Sequence, residues 1–179
     1  LWRSFDQDCD EGLSKILLEN QIDFDVANFS KDFSEYSVLI FPSKTQLSTA
    51  EVSKVKNFIE LGGSVITLAK SLLNFTEDNV SEAFGVTYVS DSNFDCDYTL
   101  IKDALYPIFV KTPFLNYDAA IQVKPTSKVE VLADIFEPYF NRTSEQYCSH
   151  QKTPFKDTKA QHPAIVKKDK CIFIAHELD

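Results

Sequence analysis

Three short stretches decide the fold: Val38-Leu39-Ile40-Phe41-Pro42, Ser48-Thr49-Ala50-Glu51, and Gly62-Gly63-Ser64-Val65-Ile66-Thr67-Leu68. Val38 to Phe41 is a continuous apolar run of the kind buried on both faces of a parallel sheet, and Pro42 closes it. Ser48 and Glu51 form a capping box, in which the serine oxygen accepts from the first helical turn while the glutamate reaches back to the serine N–H. Val52, Val55 and Ile59 then mark one helix face, and Gly62-Gly63 ends the helix. Val65 to Leu68 resumes as a strand. A strand, an amphipathic helix and a second strand make a βαβ crossover, which is right-handed and leaves the two strands parallel. The spacing therefore predicts a helix over 50–61 between parallel strands at 38–41 and 65–68.

Toward the N-terminus, Asp10 reads as a helix N-cap, with Leu13, Ile16 and Leu17 at helical spacing and Asn20 as the stop. This predicts a helix over 11–19. Phe24-Asp25-Val26 reads as a short alternating strand that joins the other two in a parallel central sheet. The first 70 residues thus resemble half of a doubly wound α/β domain. Past Asn79 a short helix runs through Phe84 to Gly85, and the pattern then turns to β. Val86 to Val89, Ala120 to Val123, Val129 to Leu132, Ala164 to Val166 and Cys171 to Ile174 are strand candidates, the last two forming a hairpin across Lys167 to Lys170.

With 179 residues the chain fits one domain, and 15 Phe and seven Tyr supply much of a core. A formal charge of -9 and the absence of any Lys/Arg run longer than Lys167-Lys168 set nucleic acid and anionic membranes aside as partners. No apolar run approaches the ~20 residues of a transmembrane helix and no signal peptide opens the sequence, so the expected location is the cytoplasm. The chain has no Met and reads as a mature fragment or an excised domain of a longer chain.

Cys9, Cys96, Cys148 and Cys171 lack any Cys-x-x-Cys spacing and read as free thiols. Asp91, Asn93, Asp95 and Asp97 alternate as in a calcium loop, but the sixth position is Cys96 where glycine is needed and the twelfth is Lys102 where glutamate is needed. They are read as solvated carboxylates at a strand or loop edge. The Asp6, Asp8, Asp10 alternation fails on the same grounds, with Glu11 and Leu17 at those positions. Cys148 and His150 lack a second close pair to complete a zinc site with His162, His176 or Cys171. No metal and no cofactor is expected.

The stretch from Phe136 to His150 is the densest mixture of aromatic and hydrogen-bonding residues in the chain, and it follows a strand, where α/β folds place their sites. Tyr139, Phe140, Asn141, Arg142, Glu145 and His150 are its candidate contact residues. They suit a protein interface, plain packing of the loop on its own sheet, or contact with a ligand such as a carbohydrate.

The segments 36–42, 47–51 and 58–66 resemble the class I glutamine amidotransferase-like fold. More closely they resemble the trimerisation-type domain that follows the catalytic barrel of beta-galactosidases and related glycoside hydrolases. Pro138-Tyr139-Phe140-Asn141-Arg142-Thr143, Cys148-Ser149-His150, Thr153-Pro154, Pro163 to Val166 and Phe173 to His176 are similar to the same group. The resemblance implies an α/β, flavodoxin- or amidotransferase-like three-layer sandwich, with a parallel central sheet and added antiparallel strands in the C-terminal half. It further implies that the strand at 65–68 ends where amidotransferases carry a nucleophilic Cys. Ala69 stands there, and His176-Glu177 would be a base without a nucleophile. The implied role is a noncatalytic accessory and oligomerisation module of a glycoside hydrolase. Its partners would be the parent's catalytic barrel and further copies of itself, as in a trimer, with a carbohydrate contact in reach. The paired carboxylates of glycoside hydrolysis would sit on that barrel, whose ~250 residues do not fit in this chain. The alternatives are a small independent hydrolase or amidase, using a nucleophile such as Ser71, and a small-molecule sensor.

Overall fold

In the computed structural model, which describes residues 7–72, 83–106, 108, 110–126 and 128–178, helix α1 spans Gln7–Glu19. It begins earlier than the periodicity predicts. Asp10 is therefore not the N-cap but lies in the first turn with Asp8, where a carboxylate favours the positive end of the helix dipole. Leu13 and Leu17 are buried while Ile16 is turned outward. Asn20 marks the stop as expected: Gln21 takes a left-handed φ of 56°, and Ile22 N donates back to Leu17 O at 2.9 Å, closing the last turn.

Phe24 to Val26 forms no strand, and Ile22 and Val26 are exposed. Two apolar residues around one aspartate give too little buried surface to hold a strand at the sheet edge. A single 3₁₀ turn, Phe33–Glu35, capped by the Asp32 side chain, leads instead into β1 (Val38–Phe41). Helix α2 (Thr49–Glu60) carries both halves of the capping box: Glu51 N donates to Ser48 Oγ at 3.4 Å, and Ser48 N donates to Glu51 Oε2 at 2.7 Å. Val52, Val55 and Phe58 are its buried face, and Gly62, at φ 97°, ends the turn that follows.

Strand β2 (Ser64–Leu68) is parallel to β1, with Val38 opposite Ser64. The remaining strands are β3 (Val86–Ser90), β4 (Asp97–Ile101), β5 (Phe114–Asn116), β6 (Gln122–Pro125), β7 (Glu130–Phe136), β8 (Pro163–Lys168) and β9 (Cys171–Ile174). The main sheet has the order β1-β2-β9-β8-β7-β4-β5, and β3 pairs β6 separately. β9 supplies the third parallel strand, with Val65 opposite Cys171. The expected hairpin of β8 and β9 turns at Asp169, φ 52°. From β9 outward every pairing is antiparallel. The fold class is thus the expected α/β, with β4 and β5 added and β6 and β7 running a few residues beyond their predicted ends. Of the short helix expected after Asn79, only Ala83 and Phe84 fall within the described residues, and Gly85 follows at φ 70°. A Cβ there would lie 2.2 Å from Val129 Cγ1, so glycine is required twice over.

Phe41, Phe84, Phe173, Leu68, Leu72 and Ile135 are the largest fully buried side chains and place the core under the parallel strands and their first antiparallel neighbours. No helix among the described residues is long and apolar enough to cross a membrane.

Candidate functional site

Because β7 and β9 run in the same direction, their C-terminal ends and those of β1 and β2 lie at one end of the sheet. In open α/β sheets this is where sites form. Ala69, which follows β2, has a φ of 44°, uncommon for a residue with a Cβ, and its N–H donates to Ile174 O at 2.7 Å. The backbone therefore bends sharply where β2 ends, and the side chain at the bend is a buried methyl. Ser71, the alternative nucleophile, is fully buried, and its Oγ has no hydrogen-bond partner. No base reaches it. Thr67 Oγ1 instead donates to the Ser71 carbonyl at 3.0 Å, fixing the turn through its backbone. An unpartnered buried hydroxyl costs stability, so Ser71→Ala is expected to leave stability unchanged or raise it by up to about 1 kcal/mol, read from the urea midpoint. A loss of that size would show that the hydroxyl has a partner.

His176 and Glu177, next to each other after β9, serve different partners. His176 Nε2 lies 2.8 Å from Asp97 Oδ1, and both residues are buried. An ionised carboxylate only accepts, so Nε2 carries the proton and donates. Asn116 Nδ2 donates to the same oxygen at 2.8 Å, and Ala120 N donates to Asp97 Oδ2 at 2.8 Å. Glu177 Oε1 accepts from Ser43 Oγ at 2.8 Å, with Lys44 Nζ 3.7 Å from Oε2. Both groups are thus held in hydrogen bonds within the fold.

The Asp97 network corrects the expectation of a solvated edge at 91–97: Asp97 is 3% exposed and holds three donors. The other members disperse. Asp91 pairs with Lys70 and accepts from Tyr88, and the Lys70 hydrogen bond holds its carboxyl below the usual range. Asp95 pairs with Lys152, and the Asn93 carbonyl accepts from Asn141. Among the described residues no group of three or more His, Cys, Asp and Glu could hold a metal. Cys96, Cys148 and Cys171 are free thiols, and burial pushes Cys96 and Cys171 up to about 11.

The loop after β7 is a closed excursion. An antiparallel bridge between Pro138 and Phe155 joins its ends, and Tyr139 N donates to Pro154 O at 3.1 Å. Phe155 packs on Tyr98 and Phe136, with ring centroids 5.1 and 5.9 Å apart. Of the six candidate residues, Tyr139, Arg142, Glu145 and His150 are exposed and Phe140 and Asn141 half-buried. Asn141 faces inward: its Nδ2 donates to Asn93 O at 2.7 Å and its Oδ1 accepts from Asp95 N at 3.1 Å. Arg142 folds back on its own loop, donating from one guanidinium nitrogen to His150 O at 3.2 Å and Gln151 O at 3.4 Å. The loop thus leaves Tyr139 and Tyr147 exposed at the same end of the sheet as Ala69.

Residues 15–85, which include the whole βαβ unit, match the family model of the beta-galactosidase trimerisation domain. Gan42B, a GH42 beta-galactosidase from G. stearothermophilus, superposes with a TM-score of 0.66 at 17% identity, over 94% of this chain and 23% of that one. The fold of this chain is thus shared with a part of that beta-galactosidase. A second beta-galactosidase, from Rahnella sp. R3, gives 0.67 at 14% identity, over 96% of this chain and 24% of that one. The alpha-L-fucosidase isoenzyme 2 of Paenibacillus thiaminolyticus superposes with a TM-score of 0.81 at 28% identity, over 95% of this chain and 26% of that one. The chain therefore spans about a quarter of the length of these enzymes. No curated protein sequence gives a significant match.

Proposed function

We propose that this chain is a noncatalytic module of a longer glycoside hydrolase, supplying contacts between subunits while the chemistry resides on a separate catalytic barrel. The observation that carries the reading is the elbow: a trimerisation-type fold whose strained turn persists with Ala69 in place of a nucleophile. The likeness of nearly the whole chain to about a quarter of a fucosidase supports it. In this reading the 138–155 loop faces the parent's barrel or a neighbouring subunit, with Tyr139 and Tyr147 as its aromatic anchors and Arg142 holding the loop in shape. Arg142→Ala in the full-length enzyme is expected to weaken assembly by about 1–3 kcal/mol with the melting temperature of the module little changed. Sedimentation of the enzyme before and after the change reads this out. An unchanged oligomer with unchanged sugar kinetics would reduce the loop to packing on its own sheet.

A further inference from the structure

A cavity of about 600 Å³ opens at the end of the sheet away from Ala69 and the 138–155 loop. Ser37 precedes β1, Ser64 begins β2 and Lys170 stands in the turn before β9, so its floor is the N-terminal ends of the three parallel strands. The last turn of α2 and the segment from Lys31 to Tyr36 wall it. Its size is that of a small-molecule site.

In a chain of net charge -9, this cavity is lined by three lysines, Lys31, Lys54 and Lys170, against one carboxylate, that of Asp32. Lys31 lies 3.8 Å from Asp25. The other two are held differently: Lys54 Nζ donates to Phe29 O at 2.6 Å and Lys170 Nζ to Gly62 O at 2.7 Å, and neither pairs with a carboxylate among the described residues. An ammonium has three donors, so each keeps two after the backbone has fixed its place. The C-terminal end of α2 would by itself repel an anion. Here, however, Asn57 O, Phe58 O and Ile59 O accept from the N–H groups of Leu61, Gly63 and Gly62, and Lys170 covers the Gly62 carbonyl. Ser37, Ser64 and Asn57 add two hydroxyls and an amide that no other described residue engages.

The geometry points to a binding site for a small hydroxylated oxyanion, a sugar that carries a phosphate or a carboxylate. Lys54 and Lys170 take the oxyanion, and Ser37, Ser64, Asn57 and Asp32 meet the hydroxyls. Charge selects the ligand, because the surrounding chain repels anions everywhere that its lysines are already paired with carboxylates. The site is independent of the oligomerisation reading, which stands or falls on other residues.

The test is calorimetric titration of the chain with glucose 6-phosphate, glucuronate, glucose and inorganic phosphate, with the amide resonances followed in parallel. At least one of the two sugar anions is expected to bind, and which one does so names the charged group. Glucose and inorganic phosphate should each bind at least about tenfold more weakly than that anion, since each lacks one half of the contacts. The resonances that move should be those of Ser37, Asn57 and Ser64. Lys54→Gln and Lys170→Gln should each weaken binding by about tenfold with the thermal melt little changed, whereas Lys70→Gln, at the other end of the sheet, should leave it as it was. Should a lysine variant fail to fold, the resonance shifts of the native chain still decide. Absence of binding by both sugar anions, equal binding of glucose, equal binding of inorganic phosphate, or shifts confined to residues away from the cavity would each overturn the inference.

Discussion

Asp97→Ala is expected to destabilise the chain by about 3–5 kcal/mol, far more than removal of a surface carboxylate. Asp97 begins β4, and its two oxygens hold the ring of His176 beyond β9, the amide of Asn116 on β5 and the backbone N–H of Ala120. Alanine would strand these donors where water reaches them poorly, since Ala120 is 1% and His176 8% exposed. Each buried donor left without an acceptor costs about 1–3 kcal/mol, and Asn116 can recover part through Thr99 Oγ1, 2.8 Å away. Asp97→Asn should recover only part of the loss, because its NH₂ faces donors. Asp95→Ala, which removes an exposed pair with Lys152, should cost no more than about 1 kcal/mol. Urea titrations of the three variants decide the matter: a midpoint for Asp97→Ala as close to native as that of Asp95→Ala would refute the network.

A comparable loss, about 3–5 kcal/mol, is expected for Phe173→Ala, by a different mechanism. Phe173 is fully buried on β9, opposite Thr67 on one neighbouring strand and Val166 on the other. Truncation leaves a cavity where the parallel and antiparallel halves of the sheet meet, and strands hydrogen-bonded on both sides cannot collapse into it. For a domain of this size the melting temperature should fall by roughly 6–20 °C, whereas Phe173→Leu should cost less than about 1.5 kcal/mol. Phe114→Ala, on the exposed edge strand, is the control and should shift the melt only slightly. Equal shifts at Phe173 and Phe114 would contradict the placement of the core.

Local grammar was legible, and long-range partnership was not. The crossover from Val38 to Leu68 could be read because its cap, apolar face and glycine stop all lie within some thirty consecutive residues that agree with one another. The hairpin of β8 and β9 was legible for the same reason. The neighbour of β2 was not: the run Cys171 to Ile174 reads as a strand but carries no mark of where in the sheet it inserts. Phe24 to Val26 was the nearer candidate in sequence and lost to it. The Asp97 network was hidden more completely, since its members stand at 97, 116, 120 and 176 and each alone looks ordinary. The one sequence signal was the Asp95 to Asp97 alternation entering a Tyr-Thr-Leu-Ile run, which places one carboxylate on the inward face of a strand. At the 138–155 loop, composition picked out the residues but not their orientation, so Asn141 and Arg142 looked available when both are engaged within the fold.

The insertion of β9 beside β2 also sets the order in which the chain can fold. Val65 meets Cys171 more than a hundred residues later, so the central pairing is a high-contact-order event that must close a long loop. On a ribosome adding about 5–20 residues per second, β1, α2 and β2 emerge roughly 5–20 s before their last neighbour is synthesised. Throughout that interval the inner edge of β2 presents unpaired backbone groups along a strongly apolar strand. Nascent chains on one polysome are therefore most prone to mispair through β2, and holding that edge until β9 arrives is the service a chaperone would provide.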